Sequence, residues 1–118
     1  MRLAIIGSRT FNDQKRFDKW IAEAIDLWGI PDEVVSGGAR GADRLGEKWA
    51  CANGIEVTIY LPDWNKHGKA AGPIRNRDII DRATHVLAFP SHRGKGTQHS
   101  ISLAKKDASK KLIINWID

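Results

Sequence analysis

The sequence is poor in residues that would cross-link or anchor the chain. Only one of its 118 residues, Cys51, is a cysteine, which excludes an internal disulfide and a cysteine-rich zinc site and favours a reducing compartment. No apolar run approaches the roughly 20 residues of a membrane-spanning helix. The chain begins directly with a strand-like RLAIIG, so we expect no signal peptide, a cytoplasmic location and no membrane partner. Cys51 lies in a helical pattern, and we expect it to be a small core residue.

What the sequence does contain is typical of a soluble globular protein. Hydrophobic residues make up 42% and charged residues 28% of the chain, and a chain of 118 residues is predicted to form a single domain over residues 1–118. The formal net charge is +5. This basic surplus favours anionic partners, such as nucleotides, nucleic acid or phosphorylated metabolites.

Strand-like and helical patterns alternate along the chain. Five short runs rich in Val, Ile and Leu are predicted as strands over Arg2–Gly7, Glu33–Ser36, Glu56–Leu61, His85–Pro90 and Lys111–Trp116. Between them, apolar residues at three- and four-residue steps predict four helices, the first capped by Asn12 or Asp13. The alternation predicts a doubly wound α/β fold, with a parallel five-stranded sheet in the order 3-2-1-4-5 and helices on both faces. The stretch from Pro62 to Pro73 is expected to be irregular and is too long for a simple connection, so it is expected to be either a functional loop or a disordered one.

The unusual residues cluster after the carboxyl ends of the predicted strands, in GSRTFND, SGGARGAD, PDWNKHGKAAGPIRN and PSHRGKGTQHS. In an open α/β sheet, ligands bind at this edge, particularly where the strand order reverses. The cations in or beside these segments are Arg9, Arg40, Arg44, Lys66, Lys69, Arg75, Arg93 and Lys95, against Asp13, Asp43 and Asp63. This excess predicts a phosphate ligand, the alternative being a merely solvated rim.

Two glycine-rich segments are candidate phosphate loops. Gly37, Gly38 and Gly41 would bring backbone amides close to an anion at a helix start, with Arg40 as a movable clamp. Asp43 would either cap amides or hold a ligand hydroxyl. Gly94, Gly96 and Thr97 open the last helix and form a second candidate loop. Neither segment is a dinucleotide fingerprint or a Walker A loop, and neither demands magnesium, so we expect no cofactor.

A few other polar residues at this edge are candidates for ligand contact. The Ser8 hydroxyl follows the first strand, and Arg75 and Asn76 follow Gly72-Pro73 at the start of the third helix. His99 either contacts a ligand or faces water. The histidines form no metal-binding pattern, so no metal site is expected.

The four segments IIGSRTFND, VVSGGARGAD, DWNKHGKAAGPIRN and GKGT together resemble the YspA-like branch of the SLOG superfamily, across almost the whole chain. This Rossmann-like superfamily includes the Lonely Guy phosphoribohydrolases and the Smf/DprA DNA-processing proteins. The resemblance implies binding of nucleotides or nucleotide-derived ligands, often by an oligomer, so we expect a homodimer. By position it implies these contacts: Gly7, Ser8, Arg9, Gly37, Gly38, Arg40, Gly41, Asp43, Arg75, Asn76, Gly94, Gly96 and Thr97.

The chain departs from the Lonely Guy pattern where that pattern carries its catalytic glutamate. Ser100 occupies the position three residues after Thr97, so hydrolysis of an N-glycosidic bond lacks its expected acid. Asp43 is the candidate substitute.

Three functions follow as hypotheses. The first is a protein that senses or sequesters a nucleotide-like small molecule. The second is an enzyme acting at the N-glycosidic bond or phosphate of such a ligand. The third is single-stranded nucleic-acid binding, which needs exposed aromatic rings for base stacking. Trp64 and, more weakly, Phe11 are candidates for that role. Trp64 is predicted instead either to form a lid over a ligand, together with Lys69, or to pack on the sheet edge.

Overall fold

The computed structural model describes all residues from Met1 to Asp118, and its framework is one parallel sheet. The strands are β1 (Arg2–Gly7), β2 (Glu33–Ser36), β3 (Glu56–Ile59), β4 (His85–Phe89) and β5 (Lys111–Ile114). They lie in the order β3-β2-β1-β4-β5, and each neighbouring pair is parallel. The predicted sheet and its strand order are confirmed. The order reverses between β1 and β4, which is where an open parallel sheet leaves a crevice.

Five α-helices connect or follow the strands: α1 (Gln14–Trp28), α2 (Ala42–Ala52), α3 (Trp64–His67), α4 (Ala71–Arg82) and α5 (Gly96–Lys105). The Asp13 side chain accepts the backbone N–H of Arg16 and so caps α1, and Gly29 ends that helix with a φ of 87°. None of the helices is both long enough and apolar enough to cross a bilayer.

The sheet separates two hydrophobic cores, because successive side chains of a strand point to opposite faces. Leu3 and Ile5 of β1 belong to the core under α1 and α2, which also contains Phe17. Ala4 and Ile6 of the same strand belong to the core under α4 and α5. Helices therefore cover both faces, as the continuous apolar runs of the strands predicted.

Three strands end slightly earlier than predicted. β3 ends at Ile59, β4 at Phe89 and β5 at Ile114, because regular pairing stops where the chain turns towards the carboxyl edge. Backbone contact between the last two strands nevertheless continues. Asn115 N–H donates to Ala88 C=O at 2.8 Å, and Ile117 N–H donates to Pro90 C=O at 3.0 Å.

The segment predicted as an irregular loop over 62–73 is helical instead. It contains α3, a 3-10 turn over Gly68–Ala70 and the first residues of α4. Asp63 caps α3 by accepting the Lys66 N–H at 3.0 Å. The Trp64 ring lies near the start of α4, since a Cβ added at Gly72 would be 3.5 Å from it. Trp64 is therefore a helix residue, not a loop residue.

Cys51 is exposed, so its prediction as a core residue is wrong. The buried side of α2 carries Ala42, Asp43, Gly46 and Ala50. Gly46 is on that side because a Cβ there would lie 2.6 Å from the Ile5 side chain. The close approach of α2 to β1 rotates Cys51 outwards.

Candidate functional site

An open cleft of about 1120 Å³ lies at the carboxyl edge of the sheet. Most of the residues singled out from the sequence line it, and they come from the four segments after β1, β2, β3 and β4. These lining residues are Gly7, Ser8, Arg9, Gly37, Gly38, Arg40, Asp43, Trp64, Arg75, Asn76, Gly94, Gly96 and Thr97. Turns separated by up to 90 positions in the sequence therefore meet around one cavity.

The charge of this cleft is strongly positive. Five cationic side chains line it, namely Arg9, Arg40, Arg75, Arg93 and Lys95, against the two acidic side chains of Asp43 and Asp118. Arg44, Lys66 and Lys69 do not line it. A concave surface lined by one sign of charge concentrates counter-ions, so the cleft favours an anionic ligand.

The glycine-rich loop after β2 is already bonded to the protein's own side chains. Asp43 Oδ2 accepts the N–H groups of Gly37 at 3.2 Å and Ala39 at 3.4 Å, and Ser36 Oγ accepts the Gly38 N–H at 3.3 Å. The expectation that glycine frees these amides for a ligand is therefore wrong. The carboxylate of Asp43 occupies the place that an external anion was expected to take.

Asp43 is held in an unusual electrostatic environment. Burial raises its pKa from 3.8 to about 6, because a charged carboxylate loses water there, and the nearby Glu47 adds to the rise. The two loop N–H groups and the Arg75 guanidinium act in the opposite direction. Its second oxygen, Oδ1, makes no hydrogen bond within the chain. Asp43 therefore secures the loop with one oxygen and leaves the other available to the cleft.

Gly41 has a packing role and does not line the cleft. Its φ is 80°, and an added Cβ would lie 2.3 Å from the Ser8 carbonyl oxygen. The next residue, Ala42, donates its N–H to that same carbonyl at 3.2 Å. The start of α2 thus abuts the turn after β1, and this close approach is why only glycine fits at position 41.

Arg75 links α4 to the loop after β2. Its Nη1 donates to Gly37 C=O at 2.7 Å and its Nε donates to Asn76 Oδ1 at 3.0 Å. Burial and the neighbouring Arg9 charge lower the pKa of this guanidinium, while Asp43 raises it. The remaining nitrogen, Nη2, has no partner within the chain. Two guanidinium groups near enough to affect each other's charge, one of them half-buried, favour a bound anion.

The start of α5 presents a row of unpaired amides. The N–H groups of Lys95, Gly96, Thr97 and Gln98 make no hydrogen bond within the chain, as expected for the first turn of a helix. The preceding turn is shaped by the Gln98 side chain, whose Nε2 donates to the carbonyls of Gly94 at 2.7 Å and Ser91 at 3.1 Å. This glycine-rich turn therefore leaves the start of its helix free for an anion.

Asp118 is a cleft residue that the sequence reasoning missed. Its carboxylate accepts hydrogen bonds from the Ser91 hydroxyl at 2.6 Å and from the His92 N–H at 3.0 Å. These bonds hold the pKa of Asp118 far below its usual range. The His92 ring also stacks on Trp116, with ring centroids 4.1 Å apart. The signal was available: residues just beyond β5 reach the same sheet edge as the other turns.

The aromatic candidates separate clearly. Trp64 is 58% exposed and lines the cleft, as does the exposed side chain of Leu61. Phe11 is only 2% exposed and stacks on Trp20 and Phe89, so its candidacy as a base-stacking platform is wrong. Lys69 lies outside the cleft lining, so the predicted lid reduces to Trp64.

The position of the absent glutamate is occupied by a buried hydroxyl. Ser100 is 3% exposed, and its Oγ lies 3.5 Å from the Gly96 carbonyl oxygen. The carboxylates of the cleft are therefore Asp43 and Asp118, on other elements. No group of three or more His, Cys, Asp or Glu side chains is placed to hold a metal ion.

Comparison with known sequences agrees with this architecture. The model of the family described as "YspA, cpYpsA-related SLOG family" matches residues 1–67, more than half of the chain. The chain belongs to this SLOG family. It is also 41% identical, over 113 residues, to the Gene 61 protein of Mycobacterium phage D29, covering 89% of each chain. The SLOG assignment made from the four sequence segments is confirmed.

A solved structure shares the fold. The chain superimposes on DNA processing protein A (DprA) from Streptococcus pneumoniae with a TM-score of 0.73 and 21% identity, over 96% of this SLOG chain and 49% of that chain. It thus spans about half the length of DprA. At this level of identity the likeness supports the Rossmann-like fold alone.

Proposed function

We propose that this SLOG protein binds a nucleotide or nucleotide-derived phosphorylated ligand in the cleft, as a sensor or a sequestering protein. The observation that carries the proposal is the start of α5. Four consecutive N–H groups, from Lys95 to Gln98, make no hydrogen bond within the chain. The first three of these residues line the cleft, where one nitrogen of Arg75 is also unpaired. Helix-start amides backed by guanidinium groups are the usual environment of a bound phosphate.

The opposite side of the cleft suits a nucleoside. Leu61 and Trp64 are 71% and 58% exposed, and a flat ring on either would remove apolar surface from water. Between this apolar side and the start of α5, Asp43 Oδ1 is free to accept a hydrogen bond from a ligand hydroxyl. A molecule with phosphate, sugar and base matches these three environments better than phosphate alone.

The test is thermal stabilisation by a panel of AMP, ADP, cyclic AMP and their guanine counterparts, with adenosine and inorganic phosphate as partial ligands. A ligand at a hundred times its Kd adds about 2.7 kcal/mol, which raises the Tm of a chain this size by roughly 10 °C. Arg75→Met should weaken binding at least about tenfold. Arg77→Met is the matched control, because Arg77 is exposed on the same helix and does not line the cleft. A Tm unmoved by every nucleotide contradicts the proposal.

A second candidate function, hydrolysis or transfer at the glycosidic bond or phosphate, is favoured by one observation. A carboxyl group with a pKa of about 6 in a cleft is suited to proton transfer near neutral pH. If Asp43 serves in this way, incubation with the nucleotide that binds releases base or phosphate. Asp43→Asn abolishes that release while binding persists. Recovery of the intact nucleotide after prolonged incubation with the native protein contradicts this alternative.

Binding of single-stranded nucleic acid is less well supported. Trp64 is the only Phe, Tyr or Trp residue that lines the cleft, whereas such sites stack successive bases on several aromatic rings. Fluorescence anisotropy with a labelled oligonucleotide tests this function. Binding whose affinity falls steeply as salt rises would support it, and absence of binding would leave the single nucleotide.

A further inference from the structure

The Asn76 side chain has an orientation fixed from two sides. Its Oδ1 accepts the Arg75 Nε–H at 3.0 Å, which requires an oxygen at that position. Its Nδ2 donates to the Gly96 carbonyl oxygen at 3.3 Å, which requires an N–H there. Since Asn76 is 8% exposed, its amide cannot rotate without leaving both partners unsatisfied.

This orientation determines the tautomer of His99. Asn76 Nδ2 lies 3.3 Å from His99 Nδ1, and an amide nitrogen can only donate. The Nδ1 atom must therefore be the acceptor, so the neutral ring carries its proton on Nε2. His99 lines the cleft, and its Nε2 has no partner within the chain.

We propose that His99 is a ligand-reading residue: it offers a fixed Nε2–H to an unprotonated oxygen of the ligand phosphate, and the Arg75–Asn76–His99 hydrogen-bond chain sets that donor in advance. The inference rests on the proposed function and deepens it. His99 lies one residue beyond the four unpaired amides of α5, so its donor adds to theirs. A ring that only donates at this position selects phosphate or carbonyl oxygen and disfavours a group that can only donate, such as an ammonium.

The Asn76 hydrogen bonds also distinguish the roles of Arg75, Asn76 and His99. Arg75 touches the ligand through Nη2 and positions Asn76 through Nε. Asn76 touches Gly96 and His99 and is a positioning residue. Loss of Asn76 should therefore release the His99 tautomer without removing any ligand-binding group.

The first arm of the test measures the tautomer directly, by two-bond ¹⁵N–¹H correlation spectra of the histidine rings at pH 8. The His99 signal is assigned by its loss in His99→Gln. We expect the Nε2–H form in the native protein and a mixture of both tautomers in Asn76→Ala. An Nδ1–H form, or a mixture in the native protein, overturns the inference whether or not any nucleotide binds.

The second arm titrates AMP and inorganic phosphate separately, with the His99 Nε2 signal and the Kd as readouts. His99→Leu should weaken binding about tenfold, whereas His99→Gln, which keeps an N–H near the same place, should stay within about threefold. A shift of the His99 Nε2 signal with both AMP and inorganic phosphate identifies a phosphate oxygen as the acceptor. A shift with AMP alone shows that the acceptor oxygen is recognised only as part of a nucleotide. AMP binding that leaves the Nε2 signal and the His99→Leu affinity unchanged overturns the inference but leaves the proposed function standing. If no nucleotide binds, the proposed function fails, and a Nε2 signal that phosphate also leaves unmoved overturns the His99 contact.

Discussion

Replacing Asp43 by asparagine should make the stability of the protein less sensitive to pH. The pKa of this carboxyl is raised from 3.8 to about 6 by burial in the cleft wall, so the folded chain holds the proton more tightly than the unfolded chain does. The free energy of unfolding therefore falls as the pH rises from about 4 to about 6, and the full cost is present above that range. The difference between the two pKa values corresponds to about 3 kcal/mol. Asparagine keeps an acceptor oxygen for Gly37 and Ala39 but never ionises.

The assay is urea denaturation of both proteins, without ligand, at intervals from pH 4 to pH 8. The free energy of unfolding of Asp43→Asn, minus that of the native protein, should increase by about 3 kcal/mol across this range. Asp78→Asn is the control, because Asp78 is exposed on α4 and its carboxylate has no hydrogen-bond partner. It reports the general effect of removing one negative charge from a basic chain.

The reasoning would be refuted if the difference in free energy of unfolding between Asp43→Asn and the native protein did not change with pH. It would also be refuted if Asp78→Asn showed the same change with pH. Either result would mean that the ionised Asp43 carboxylate is compensated by its two loop amides and by Arg75. The burial assigned to it would then carry no net cost.

Three further changes test other parts of the structure, each by urea denaturation unless stated. Gly41→Ala should lower the free energy of unfolding by at least about 2 kcal/mol, since the φ of Gly41 is 80° and an added Cβ would meet backbone atoms. Gly54→Ala is the control: its φ is 67° but an added Cβ would meet open space, so the loss should be about 1 kcal/mol. Equal losses would contradict the packing role of Gly41. Phe17→Ala should lower the free energy of unfolding by about 3–5 kcal/mol, whereas Leu27→Ala, at an exposed position, should lower it by less than about 0.5 kcal/mol. A similarly small loss for Phe17→Ala would contradict the assignment of Phe17 to the hydrophobic core. Arg75→Lys, measured by nucleotide titration, should behave like Arg75→Met, because lysine cannot make both of the hydrogen bonds that fix the guanidinium; native affinity in Arg75→Lys would show that charge alone suffices.

The fold was predictable because its determinants are local and repetitive. Short Val- and Ile-rich runs alternating with helical patterns leave few topologies, and right-handed crossovers select among them. The carboxyl edge of the sheet then gathers the turns after β1, β2, β3 and β4, whatever their distance in sequence. This is why the sequence alone assigns residues as far apart as Ser8, Arg75 and Thr97 to one cleft.

What escaped prediction depends on tertiary contacts. A carboxylate at position 43 could bind a ligand or its own loop, and only the approach of α2 to β1 decides that it faces Gly37 and Ala39. Asp118 follows β5 and so reaches the carboxyl edge of the sheet, but only the hydrogen bonds from Ser91 and His92 fix its carboxylate at the cleft. Phe11 is buried by stacking on aromatic residues of other elements. In each case, the residue type was compatible with both roles.

The bond from the Arg75 guanidinium to the Gly37 carbonyl joins α4 to the turn after β2 through the protein's own groups, and this link has a kinetic consequence. Because this bond fixes one wall of the cleft, binding of an anion requires little conformational change there. Its capture should proceed close to the diffusion-controlled rate, accelerated by the surrounding guanidinium groups and slowed by added salt. Differences in affinity among related ligands would then lie in their dissociation rates and not in their association rates.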